Sequence, residues 1–224
     1  MAVVIDRAQV AERLAVVRDR IRRAGADPDG LAVVAVTKGF PADAVAAAFD
    51  IGLADVGENY AQELVAKARE ISDLIRWHFI GHIQTNKVGS LGPFVSLWHG
   101  VDRLHAGQAI ARHQPGAAVL VEVNTSRDPA KRGCRVDEAP QLVDALRELG
   151  LLVRGLMTIA AAGPAESARP AFRDLAILGR RLGLAELSMG MTADLEVAVQ
   201  EGATMVRVGE ALFGPRPQSQ NLRR

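Results

Sequence analysis

The sequence predicts an α/β protein, a single (β/α)8 TIM barrel with an extra N-terminal helix. Eight short apolar runs rich in Val, Ile and Leu recur along the 224 residues. Stretches of helical periodicity separate them, which is the pattern of a parallel sheet covered by helices. Polar residues also gather at the carboxyl ends of the runs, where barrels of this kind carry their sites. A doubly wound open sheet is the competing arrangement, but no Gly-x-Gly-x-x-Gly follows the first strand.

The elements follow in order. Val10, Leu14, Val17 and Ile21 recur at helical spacing, and Gly25 and Pro28 close that first helix. A buried strand spans 31–38, and Gly39 and Pro41 turn the chain into an Ala-rich helix. Strands two to four are read at 54–59, 77–81 and 96–102. The fifth, 118–124, is the clearest, and Leu142, Val143, Leu146 and Leu149 mark the helix after it. The sixth strand spans 153–159, with a helix through Phe172, Leu175, Leu178 and Leu182. The seventh is short, 185–189, and the eighth spans 204–209. Each strand but the last is expected to be followed by a helical stretch of ordinary length. No composition break divides the chain, so one domain is expected over 1–217, with a polar tail at 218–224.

Composition excludes several classes. The formal net charge is +1 with 24% charged residues, and the basic residues are interleaved with acidic ones, so no nucleic-acid footprint is present. Cys134 is the only cysteine, which excludes an intrachain disulfide and fits a reducing compartment. No signal peptide or membrane-spanning run is evident, and a cytoplasmic protein is expected.

The strand ends supply Lys38, Glu58, Asn59, His82, Asp102, Asn124, Ser188, Arg207 and Gly209. Lys38 ends an almost wholly apolar strand. If it points inward, desolvation lowers its pKa and frees the amine to attack an aldehyde. Taken alone, a lysine snorkelling to water is the commoner case. The segments 188–192 and 209–214 shift that balance. Loops after strands seven and eight, ending at a helix N-terminus, form the usual phosphate site of this fold. Ser188 and Thr192 add hydroxyls, although Ser or Thr before a helix is also an ordinary cap. A phosphate site facing a strand-end lysine suggests a phosphorylated aldehyde.

At these residues the chain resembles the pyridoxal-phosphate homeostasis proteins, the YggS or PROSC (proline-synthase co-transcribed) type, related in fold to the N-terminal domain of alanine racemase. The resemblance is carried by Val34-Ala35-Val36-Thr37-Lys38, Gly57-Glu58-Asn59-Tyr60 and Trp77-His78-Phe79-Ile80-Gly81-His82-Ile83-Gln84-Thr85-Asn86-Lys87. Gly155-Leu156-Met157, Leu187-Ser188-Met189-Gly190-Met191-Thr192-Ala193-Asp194-Leu195 and Val206-Arg207-Val208-Gly209-Glu210-Ala211-Leu212-Phe213-Gly214 complete it. It implies pyridoxal 5′-phosphate (PLP) held as a Schiff base on Lys38. Ser188, Thr192 and the backbone around Gly190, Gly209 and Glu210 would hold the phosphate. Asn59 would lie near the ring, and Arg207 would face the pyridine nitrogen. Thr37, Thr85 and Thr192 stand where Ser is usual, which keeps each hydroxyl, and His82-Ile83 stands where Pro-Leu is frequent.

Arg207 bears on whether the protein is an enzyme. A guanidinium beside the pyridine nitrogen disfavours its protonation and weakens the ring as an electron sink. Arg207 could instead pair with a strand-end acid such as Glu58. The only tyrosine, Tyr60, opens a helix where packing is the expected role, and no residue is obviously placed as a second base. The expectation is therefore a monomeric carrier or buffer acting in vitamin B6 homeostasis, not an enzyme, with PLP and apo-enzymes that receive it as partners. A weak amino-acid racemase is the alternative. Two further classes are a metal barrel using His78 and His82, which lacks a clear third ligand, and an aldolase-type lysine acting on a phosphorylated sugar.

Overall fold

The computed structural model describes residues 5–71 and 74–216. The sequence-predicted tail and residue 217 lie outside them. The strands are β1 (Ala32–Val36), β2 (Asp55–Glu58), β3 (Arg76–Phe79), β4 (Val95–Val101), β5 (Ala118–Glu122), β6 (Leu152–Met157), β7 (Glu186–Ser188) and β8 (Met205–Val208). The helices are α1 (Arg7–Arg23), α2 (Ala42–Asp50), α3 (Ala61–Glu70), α4 (Val88–Leu91), α5 (Leu104–His113), α6 (Ala139–Glu148), α7 (Arg169–Arg181), α8 (Leu195–Gln200) and α9 (Glu210–Phe213).

The strands close in sequence order, each parallel to the next, and β8 pairs with β1. The open-sheet alternative is therefore excluded. Closure gives every strand two buried faces, and alternation along each strand sorts its residues between them. On β1, Val33 and Ala35 join the layer between sheet and helices, whereas Val34 joins Leu97, Leu120, Met157 and Met205 inside the barrel. In the outer layer Phe172 and Leu175 of α7 and Leu146 of α6 are fully buried.

Helix α1 is anchored at its start by Asp6, whose carboxylate accepts from the Ala8 N–H at 2.9 Å. Its apolar stripe of Val10, Leu14, Val17 and Ile21 packs on α2, α8 and α9. This explains the extra helix. The eighth unit has only the four-residue α9, and α1 covers the seam where β8 meets β1.

Two expectations are corrected. The β3–β4 crossover is not an ordinary helix but a 3-10 turn at Thr85–Lys87 followed by the four-residue α4. Gly89, Gly92 and Pro93 crowd this segment, and a Cβ at Gly89 would stand 3.2 Å from the His113 ring. The first strand ends at Val36 rather than Lys38. Residues 37–40 form a turn closed by the Phe40 N–H on the Thr37 carbonyl at 3.0 Å. Gly39 takes φ +74° there, a conformation glycine supplies without strain. Among the described residues no helix is long and apolar enough to cross a membrane.

The outer layer carries much of the stability. Phe172→Ala is expected to lower unfolding free energy by about 3–5 kcal/mol. Chemical denaturation measures this, and a loss below 1 kcal/mol would contradict the packing described.

Candidate functional site

Lys38 sits at the second position of the 37–40 turn, and its turn is fastened from the outer layer. Thr37 Oγ1 donates to Glu58 Oε1 at 2.6 Å. Lys67 of α3 donates to the same oxygen at 2.6 Å and to the Thr37 carbonyl at 2.8 Å. The Gly39 N–H donates to Glu63 Oε2 at 2.8 Å. Glu58 and Lys67 are both buried. Burial pushes the Glu58 carboxyl up, against the opposing pull of Lys67 and Thr37. A buried pair of this kind costs several kcal/mol to break from one side, so it fixes the turn rigidly.

Lys38 itself is half-buried and, among the described residues, makes no hydrogen bond or ion pair. Burial, then the nearby Arg216, hold its amine below the ordinary lysine value, and Arg207 adds to that. Glu58 and Glu210 oppose it. The other three lysines differ. Lys67 is locked to Glu58, Lys131 donates to the carbonyls of Ile159 and Ala160, and Lys87 lines a rim cavity with Asn59 and His82.

Arg207 lies inside the barrel, 5% exposed. Its Nη1 donates to Ser188 Oγ at 2.6 Å and its Nη2 to the Thr158 carbonyl at 2.9 Å. The pairing with Glu58 weighed from sequence does not form, because Glu58 faces α3. Among the described residues Arg207 has no carboxylate within ion-pair distance. Ser188 is the last residue of β7 rather than the start of a helix, and its hydroxyl is committed to Arg207 and to His99 Nδ1 at 3.0 Å.

The phosphate-site loops are built differently. Gly190 has φ +90°, and a Cβ there would meet Ala198 at 2.4 Å. Among the described residues the N–H groups of Gly190, Thr192 and Gly209 meet no acceptor. Arg20 of α1 donates to the Thr192 carbonyl at 2.8 Å and forms a two-pronged bond with Glu196 at 2.6 and 2.7 Å. The extra helix thus holds the 189–194 loop in place. Glu210 pairs with Arg216 at 3.2 Å beside Lys38.

The remaining rim residues divide. Asn59 Oδ1 and His82 Nδ1 are buried without a partner among the described residues, and Asn59 and His82 line a cavity of about 390 Å3 together with Lys87 and Arg132. Asn124 is taken up by its own loop, donating to the carbonyls of Asp128 and Lys131. Asp102 pairs with Arg103. Tyr60 is exposed. His78 bonds to Asp55 and His99, so it shares no site with His82. Burial pushes the Cys134 thiol up to about 12, which leaves it a poor nucleophile. A larger cavity, about 830 Å3, is lined by Asn124, Arg127, Arg135 and Arg181 and includes none of the residues around Lys38.

Sequence reasoning missed Glu122 and His99. Glu122 is 7% exposed at the end of β5, and burial, then Asp102, push its carboxyl up to about 7. Arg207 opposes this. The signal was present: Leu120 faces the barrel interior, so Glu122 two residues later does as well.

The alanine racemase N-terminal domain family matches residues 5–217. The pyridoxal phosphate homeostasis protein of Pseudomonas aeruginosa is 42% identical over 221 residues, covering 92% of this chain and 96% of that protein. The pyridoxal phosphate homeostasis protein of Escherichia coli K12 is 37% identical, covering 94% and 98%. Among solved structures, PipY of Synechococcus elongatus with PLP bound superposes with a TM-score of 0.78 at 31% identity. The match covers 92% of this chain and all of PipY.

The buried Glu122 carboxyl ties stability to pH. Its folded pKa is raised, so its contribution is full below the unfolded value and is lost as pH rises toward about 7. Glu122→Gln removes that loss. The variant is expected to gain on the order of 2 kcal/mol over the parent at pH 8 and almost nothing at pH 4. Thermal unfolding at the two pH values measures it, and equal effects at both would contradict the assignment.

Proposed function

Starting from the chain's membership of the alanine racemase N-terminal domain family and, within it, of the pyridoxal phosphate homeostasis proteins, we propose that it binds PLP as a Schiff base on Lys38. It then acts in vitamin B6 homeostasis as a carrier or buffer. The observation that carries this reading is Lys38 itself. It is the one lysine that combines a half-buried amine of lowered pKa, unpartnered among the described residues, with closeness to the charges of Arg207 and Glu210.

Bound PLP would supply an aldehyde that condenses reversibly with an amine, releasing one water. The chain's residues suit each part of that molecule. A deprotonated Lys38 amine is available to the aldehyde carbon. The N–H groups of Gly190, Thr192 and Gly209 offer donors to a phosphate, with the Thr192 hydroxyl beside them. Asn59 Oδ1 is a spare acceptor near the ring, and the remaining N–H groups of Arg207 can donate to the ring nitrogen. A donor there keeps that nitrogen unprotonated, which disfavours carbanion chemistry and favours holding over turnover. Ser188 serves the phosphate only indirectly in this reading, because its hydroxyl orients Arg207. Glu210 holds Arg216 against the lysine turn.

Apo-enzymes that accept the cofactor are the partners this role calls for, and a monomer suffices for it. A second reading, weak amino-acid racemase activity, draws on Glu122. Its carboxyl titrates near neutrality in the barrel interior and could move a proton. Exchange of a substrate α-hydrogen for deuterium, lost in Glu122→Gln, would favour that reading.

The test is chemical. PLP is added to the purified chain, the product is reduced with borohydride, and the modified residue is mapped. Label on Lys38 is the expected result, with no stable label in Lys38→Ala. Label on Lys87 or Lys131 in the parent protein would overturn the proposal.

A further inference from the structure

Behind Arg207 a continuous file of polar side chains crosses the barrel interior. Arg207 Nη1 lies 2.6 Å from Ser188 Oγ, which lies 3.0 Å from His99 Nδ1. His99 Nε2 lies 2.9 Å from His78 Nδ1, and His78 Nε2 lies 3.1 Å from Asp55 Oδ1. The strands β8, β7, β4, β3 and β2 contribute one member each. Ser188 and His99 are fully buried and His78 nearly so. Asp55 is the first residue of β2. It lines a cavity of about 360 Å3 with Gly52, Leu53 and Ala32, at the amino-terminal face of the barrel, opposite the lysine.

The chemistry of the two ends fixes every proton between them. Arginine can only donate, so Ser188 Oγ accepts. The one hydroxyl hydrogen is then left for His99 Nδ1, which must carry none. Burial first, then His78 and Arg207, hold His99 well below the usual imidazole value, so it stays neutral with its proton on Nε2. That proton is donated to His78 Nδ1, and the His78 Nε2–H is donated to the Asp55 carboxylate. Burial works against that carboxylate, but hydrogen bonds from His78 and Arg76 hold it well below the usual carboxylate range. Reversing both rings would leave the Ser188 hydroxyl without an acceptor and would turn a bare nitrogen toward a carboxylate. Buried groups avoid both conditions. The other charged groups that interact with Arg207 are Glu122, Asp194 and Lys38.

We propose that Asp55, His78, His99 and Ser188 form one polarised hydrogen-bond relay that orients the Arg207 guanidinium toward the mouth of the barrel and couples it to the opposite face. The inference rests on the reading that Arg207 faces the ring of a bound cofactor. The four residues act through Arg207 and touch no ligand, so they are positioning residues. A chain of alternating donors and acceptors is polarised along its length, and a cut at one link is therefore felt at the next.

The relay is read on the cofactor-free full chain by 15N NMR of its imidazoles. In the parent protein, His99 is expected to carry its proton on Nε2 and to donate it to His78 Nδ1. In His78→Phe, His99 Nδ1 stays bare to accept from Ser188, but the His99 Nε2–H loses its acceptor and its 15N resonance is expected to shift. A parent His99 protonated on Nδ1, or a His99 unchanged in His78→Phe, overturns the relay.

The positioning role is read separately with PLP added. Asp55→Asn removes the anionic end, leaves the mouth more positive, and is expected to lower the pH midpoint of the bound cofactor's visible absorbance by on the order of half a unit. An unmoved midpoint overturns that role. A chain with the expected tautomers that takes up no PLP would support the relay and overturn the proposed function instead.

Discussion

A cation buried inside a closed barrel, with no carboxylate at ion-pair distance among the described residues, is the constraint around which this site is arranged. Arg207 is that cation. Burial brings its guanidinium down to about 10, with Glu122 and Asp194 opposing, so it remains charged at neutral pH. An uncompensated buried charge costs several kcal/mol. Here the compensation is distributed. Ser188 and the Thr158 carbonyl accept two of its hydrogens, Glu122 answers part of its charge, and the file of histidines behind Ser188 ends on an anion. The unused N–H groups are what give the interior a specific chemical face.

The barrel's two layers divide the remaining work. Outward-facing Thr37 and Glu58, together with Lys67 of α3, form a buried clamp that reacts with nothing and fixes the lysine turn. The inward-facing side supplies the charged and titratable groups. The amine of Lys38 lies beside this second set, where burial and neighbouring cations hold it below the ordinary lysine value. The extra helix α1 belongs to the same scheme, because its Arg20 holds the loop in which, among the described residues, the Gly190 and Thr192 N–H groups meet no acceptor. Rigid scaffolding on one side and unsatisfied donors on the other is a geometry suited to holding a small anionic ligand.

Much of this was legible in the sequence. The α1 stripe and the apolar run of β5 gave their elements directly, and the two loops flanking β8 pointed to an anion site. What escaped had a common physical origin. Strands buried on both faces read as continuous apolar runs, so their alternation does not announce which residues point inward. Ser188, placed in the seventh strand, was therefore read as a phosphate-site hydroxyl although it faces Arg207. Glu122 and His99 were passed over although each alternates with an interior leucine, Leu120 and Leu97 respectively. The short β3–β4 crossover escaped for another reason: Val88 and Leu91 have helical spacing, but the glycines around them and the closeness of His113 leave room for a single turn.

The central claim is that the site presents a lysine amine made reactive by burial and by neighbouring cations. The most direct measurement is the titration of the Lys38 side chain in the cofactor-free protein, followed by NMR with the other three lysines as internal references. The account expects Lys38 to lose its proton at a pH clearly below the ordinary lysine value, and to move back toward that value in Arg207→Gln. A Lys38 that titrates at or above the ordinary value in the parent protein would contradict it.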